Sequence, residues 1–179
     1  MVNKLVQEID YTKRDWRRDI GINVAAVGFV FAAISSWARE LGSITPPIVI
    51  VSAILAFIPH ELLHALFFKI WGGKIKFGAM WTKFGPALYT SGTGTTFARN
   101  RMIAIALAPQ ILSAVLLIAV QFIGPGAVRS IFILTAVLNF SGGFGDYYCL
   151  LQMMKYSKKL QVEDSPSGLR FYMPEEGEL

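Results

Sequence analysis

Four long apolar stretches separated by short charged links constrain this chain more than any other feature. They run from about Ile20 to Ala38, Pro47 to Ile70, Ile103 to Ile123 and Val128 to Met154. Each approaches the ~20 residues that a helix needs to cross a hydrocarbon core of ~30 Å. A soluble core built from 179 residues has no room to hide four of them. The expected fold class is therefore an all-α integral membrane protein with about four transmembrane helices. Trp16 and Trp37 flank the first stretch, as interfacial anchors would. The first stretch also starts after about twenty residues of mixed charge and lacks a small-residue cleavage pattern, so it does not read as a signal peptide.

The cations set an expected orientation. Five lie in the N-terminal arm (Lys4, Lys13, Arg14, Arg17, Arg18). Six lie between the second and third stretches (Lys69, Lys74, Lys76, Lys83, Arg99, Arg101), and four in the tail (Lys155, Lys158, Lys159, Arg170). Only Arg39 and Arg129 occupy the other links. The positive-inside rule then puts both termini and the middle link in the cytoplasm of a multi-pass cell-membrane protein. The net charge of +5 arises from these flanks, and no nucleic-acid-binding motif accompanies it. The lone Cys149 excludes an internal disulfide.

The middle link carries strand-favouring runs at 74–77, 87–90 and 95–97, with Gly85-Pro86 as a turn signal. A small cytoplasmic β-hairpin is expected there, between helices two and three. Residues 1–159 read as a single membrane-embedded metallopeptidase-like domain. Residues 160–179 read as a cytoplasmic C-terminal tail with a turn-rich stretch at Asp164–Gly168.

Inside the second stretch stands His60-Glu61-Leu62-Leu63-His64, which contains both histidines of the chain. Positions i and i+4 share a helical face, so both imidazoles can meet one metal ion while Glu61 flanks it. This is the spacing of zinc metallopeptidases, with two nitrogen ligands and a carboxylate that activates zinc-bound water. A catalytic zinc site takes a third protein ligand, here either a carboxylate or the Cys149 thiolate. Only Glu61 and Asp146, of twelve acids, fall within apolar stretches, which makes Asp146 the candidate. If both segments descend to the cytoplasm, His60 and Asp146 lie at similar depth, ~16 and ~14 Å of helix from their ends. Gly142, Gly143 and Gly145 would loosen the helix before Asp146. Asn139, seven residues before Asp146, reads either as a catalytic hydrogen-bonder to substrate or oxyanion, or as an interhelical polar contact.

The chain resembles the putative zincin peptidase family of bacterial and archaeal membrane proteins. The resemblance rests on His60–His64 followed by Phe67-Phe68, on Leu107-Ala108-Pro109, and on Asn139 through Gly145-Asp146. It extends to the ending Val162-Glu163-Asp164-Ser165-Pro166 with Gly168 and Phe171-Tyr172. More distantly the chain is similar to the site-2 proteases, intramembrane zinc enzymes that cleave transmembrane helices. It departs from them in having Leu63 before the second histidine, Phe140 after the asparagine, and Gly145-Asp146-Tyr147 around the late aspartate. The resemblance implies Zn2+ held by His60, His64 and Asp146, with Glu61 as base. The expected function is an intramembrane metalloprotease acting on transmembrane or membrane-associated peptide substrates in the lipid bilayer. The alternative is a non-catalytic zinc-binding membrane protein with a structural or partner-binding role.

Overall fold

The computed structural model describes residues 3–10, 16–37, 39, 41, 44–82 and 85–174. The elements run β1 (Asn3–Asp10), α1 (Trp16–Ser36), α2 (Pro46–Ile70), β2 (Lys74–Thr82), β3 (Gly85–Thr93) and β4 (Thr96–Ala98). They continue α3 (Arg99–Leu107), α4 (Gln110–Ala119), α5 (Ala127–Gly142), α6 (Phe144–Met153), β5 (Gln161–Ser165) and β6 (Gly168–Pro174).

Helix α2 starts with Pro46 and Pro47 in its first turn, where a missing N–H costs nothing, and carries Lys69 in its last. Its two faces are sorted in the sense opposite to a soluble helix. Ser52, Ala56, His60, His64 and Phe68, four residues apart, are buried. Ile50, Ile54, Ile58, Leu62 and Leu66, with the same spacing, are exposed. A helix with its polar groups inward and an apolar stripe outward suits lipid rather than water. It packs chiefly on α5, and Thr135 Oγ1 reaches the Ser52 carbonyl at 3.5 Å.

The other two spans are each broken once. Arg99–Phe122 comprises α3, α4 and a closing 3-10 turn at Val120–Phe122. Pro109 interrupts it, having no N–H to continue the ladder. Ala108, Ile111 and Leu112 instead make tighter bonds to the carbonyls three residues back. Ala127–Met153 comprises α5 and α6, hinged at Gly143, whose N–H is shared between the Asn139 and Phe140 carbonyls.

Two antiparallel sheets complete the molecule. One is the β2–β3 hairpin, in unbroken register from Lys74↔Thr93 to Thr82↔Gly85. The other orders its strands β1-β6-β5-β4 and joins both ends of the chain, with Asn3 opposite Pro174. Its inner face buries Phe97, Val162, Leu169 and Phe171 against Met102, Ile105 and Met153 of the helix ends. Gly168 opens β6 at φ +147°, a conformation closed to most side chains, with the Ile9 carbonyl packed where a Cβ would stand.

These findings overturn the all-α expectation in two respects. The hairpin at 74–93 is present, but so is a second sheet that the chain ends build together. Among the described residues the span count is three, not four: Pro46–Ile70, Arg99–Phe122 and Ala127–Met153 are long and apolar enough to cross a membrane. Of the expected first segment, the apolar helix found among the described residues is Asn23–Ser36, the later part of α1. Trp16, proposed as an anchor, opens α1, and Ala38 lies outside the described residues.

Candidate metal centre

The buried stripe of α2 presents His60 and His64 one turn apart, with ring centroids 4.9 Å apart. Both face α6, where Asp146 stands in the first turn after the Gly143 hinge. One carboxylate oxygen, Asp146 Oδ2, lies 3.3 Å from His60 Nε2 and 3.4 Å from His64 Nε2. One ligand atom from each of the three residues falls within 4.8 Å of the others. Three groups from two distant segments therefore meet, as the scarcity of charge in the apolar stretches led us to expect.

The opposite edge of each imidazole is held in place. His64 Nδ1 donates to the Ile105 carbonyl at 2.9 Å. That carbonyl also accepts the Ala108 N–H at 3.2 Å, and its second lone pair is open to the imidazole because the residue four positions on is Pro109, which has no N–H to offer it. His60 Nδ1 lies 3.1 Å from Asn139 Oδ1. The Asn139 amide in turn donates through Nδ2 to the Pro109 carbonyl (2.9 Å) and to Ser113 Oγ (2.7 Å). Ser113 gives its only proton to the Ala136 carbonyl at 3.0 Å, so it must accept from Asn139. This network fixes the amide with Oδ1 toward His60, and hence the proton on His60 Nδ1. Both imidazoles thus carry Nδ1–H and turn Nε2 toward the same carboxylate.

With Nε2 unprotonated, these three atoms present lone pairs to one point, which a cation between them would satisfy. Two imidazole nitrogens and one carboxylate oxygen are the donor set of a catalytic zinc site, and the Nδ1–H contacts are the outer-shell bonds that orient such ligands. The residues present fit the metal.

Glu61 follows His60 round the helix. Its Oε2 is buried and has no hydrogen-bond partner among the described residues. Its carbonyl accepts from Thr90 Oγ1 at 3.1 Å, which ties strand β3 of the hairpin to this point of α2. Asn139, expected near the reacting atoms, lies fully buried behind His60 with its amide committed to three partners. Cys149, the other possible third ligand, is buried in the apolar cluster under the sheet and is not one of the three converging groups.

Ser113, Thr90 and the Ile105 and Pro109 carbonyls escaped the reading of the sequence. Pro109 was a signal for one of them, since a proline orphans the carbonyl four residues before it. Outside the helices, Asp164 of β5 is buried beneath the sheet and accepts from the Gly92 N–H of β3 at 2.8 Å. Burial pushes its carboxyl up to about 7 despite that bond.

No curated protein and no solved structure matches this sequence. The sequence pattern described as putative zincin peptidase matches residues 53–160, which contain His60, Glu61, His64, Asn139 and Asp146. More than half of the chain carries that pattern, and the chain belongs to the putative zincin peptidase family, one of zinc metallopeptidases.

Proposed function

We propose that this protein is an intramembrane zinc metalloprotease that hydrolyses peptide bonds of membrane-protein substrates. One observation carries the reading. The two imidazoles of a His-Glu-x-x-His pattern, each anchored through Nδ1–H, turn toward one carboxylate within helices long enough to span a bilayer.

Zinc, when bound, would supply a Lewis acid for the scissile carbonyl and lower the pKa of water toward ~7. His60, His64 and Asp146 would hold it. Glu61, whose buried Oε2 has no partner among the described residues, would take the proton of the attacking water and return it to the leaving amine. Asn139 serves as a positioning residue, fixing the tautomer and orientation of His60.

A transmembrane helix shields its peptide bonds, so the substrate must unwind before it is cut. Strand β3 offers an edge that could hold it extended. Gly92 turns its N–H away from β2 toward Asp164. By the two-residue alternation of an antiparallel ladder, the main-chain groups of Thr90 and Leu88 face the same outer edge. Thr90 meanwhile sits on Glu61. The distribution of cations supports cytoplasmic placement of the hairpin and of the site's nearer opening.

The test is purified protein with a labelled transmembrane peptide. Glu61→Gln is expected to lower kcat by ~10²- to 10⁴-fold while zinc content stays at one per chain. Cleavage unchanged by this substitution rejects the mechanism. Stoichiometric zinc with no hydrolysis by the wild type favours the non-catalytic, partner-binding role.

A further inference from the structure

Gln110 opens α4 immediately after Pro109. Both atoms of its amide, Nε2 and Oε1, are buried without a hydrogen-bond partner among the described residues. Leaving a donor and an acceptor of one side chain both unmade is a costly state of a protein interior, and more so where no water supplements them. The neighbouring groups are satisfied: the Pro109 carbonyl by Asn139 and the His64 Nδ1–H by Ile105.

The amide lies at the α5–α6 hinge, three residues before Asp146. A Cβ built on Gly143 would stand 2.6 Å from Gln110 Nε2. Gly143 has φ −74°, which any residue adopts, so glycine is required here by the space that Gln110 and Tyr147 take rather than by the backbone. Eleven positions separate Gln110 from Arg99 at the start of its span, ~16 Å of helix. His60 is ten positions from Ile70 at the end of α2, ~15 Å. The amide and the metal cluster share a layer of the bundle.

We propose that Gln110 is a substrate-positioning residue that reads one peptide group of the unwound substrate beside the scissile bond. Nε2 donates to a substrate carbonyl, and Oε1 accepts the substrate N–H. A primary carboxamide is complementary to a peptide unit at two points, and helix unwinding is what frees those points on the substrate. Asn139, the other amide of this layer, has nothing left to give. The inference rests on the intramembrane protease reading above.

The experiment uses the full chain in lipid nanodiscs with a fluorophore-labelled transmembrane peptide. Binding is measured in the Glu61→Gln background, turnover in the native one. Gln110→Leu is expected to weaken peptide binding ~10-fold or more, one lost hydrogen-bonding unit's worth, and to raise KM accordingly. Zinc should remain at one per chain. Gly143→Ala, which crowds the amide aside, is expected to reproduce the effect. Binding and KM unchanged in Gln110→Leu overturn the proposal, as does loss of zinc in that variant, which would make Gln110 part of the metal scaffold. Gln110-dependent binding with no turnover by the wild type overturns the protease reading alone.

Discussion

The helical spans and the sheet formed by the two chain ends sort their residues in opposite senses. In α2 the buried face carries Ser52, His60 and His64, while isoleucines and leucines face outward. In the sheet, Phe97, Val162, Leu169 and Phe171 turn inward, while Glu8, Glu163 and Arg170 pair on the outer surface. One region is built against hydrocarbon and the other against water, and they meet where Met153 and Ile105 plug into the sheet. Polar groups inside the bundle serve the chemistry, orient it or bond one helix to the next, as Thr135 does to Ser52, because lipid outside supplies no force to bury apolar side chains. Apolar groups inside the sheet are there for stability. Among the described residues Asp164 alone crosses this division, as an acid on the inner face of the sheet.

Three substitutions probe that contrast. The largest effect is expected at Phe171, which is fully buried between strands and helix ends. Phe171→Ala should cost ~3–5 kcal/mol of the sheet's stability. Thermal unfolding in detergent, followed by strand signal in circular dichroism, measures it. Zinc retained in the folded fraction would show that the two regions are energetically separable.

Asp164→Asn comes next. The Asp164 carboxyl holds its proton up to about 7 when folded, against 3.8 for the free group. Between those values the unfolded chain releases the proton and the folded one keeps it, so the contribution is whole below 3.8 and lost as pH rises toward 7. The loss is at most ~4 kcal/mol. Asparagine keeps an acceptor for Gly92, and the variant should have a flatter melting temperature between pH 4 and pH 8. A wild-type melting temperature that rises over that interval contradicts the burial argument.

The smallest effect is expected at Asn139, inside the bundle. Asn139→Leu removes the acceptor that fixes His60 and should weaken zinc binding by ~10–100-fold, the usual cost of an outer-shell contact. Competition with a chelator measures it. An unaltered affinity with lost turnover would instead return Asn139 to the reacting atoms.

Much of the site was legible because charge is scarce in the apolar stretches. Two histidines one turn apart and a single distant acid left few ways to complete a ligand set. The hairpin was legible from the strand-favouring runs at 74–77 and 87–90, although Gly85 and Pro86, read as its turn, begin β3 and pair with Thr82 and Trp81. The second sheet was not, since the pairing of Asn3 with Pro174 has no local trace in either segment. Among the described residues the first apolar stretch gives the shorter apolar helix Asn23–Ser36 and not a fourth span. Asn139 and Asp146 stand on either side of the Gly143 hinge and both reach His60, one at Nδ1 and the other at Nε2. Of the two readings of Asn139, the polar contact between helices is the one its partners describe.

Pro109 shows how an imino acid can act at a distance through what it lacks. By withholding a proton from the main chain it leaves the Ile105 oxygen, which takes the Ala108 N–H, a second lone pair with which to steer His64, and no exchange of side chain at 105 can delete that oxygen. The liability has been moved four places along the chain. Pro109→Ala would restore a rival donor to the helix ladder and turn the imidazole's guide into an ordinary link of the backbone.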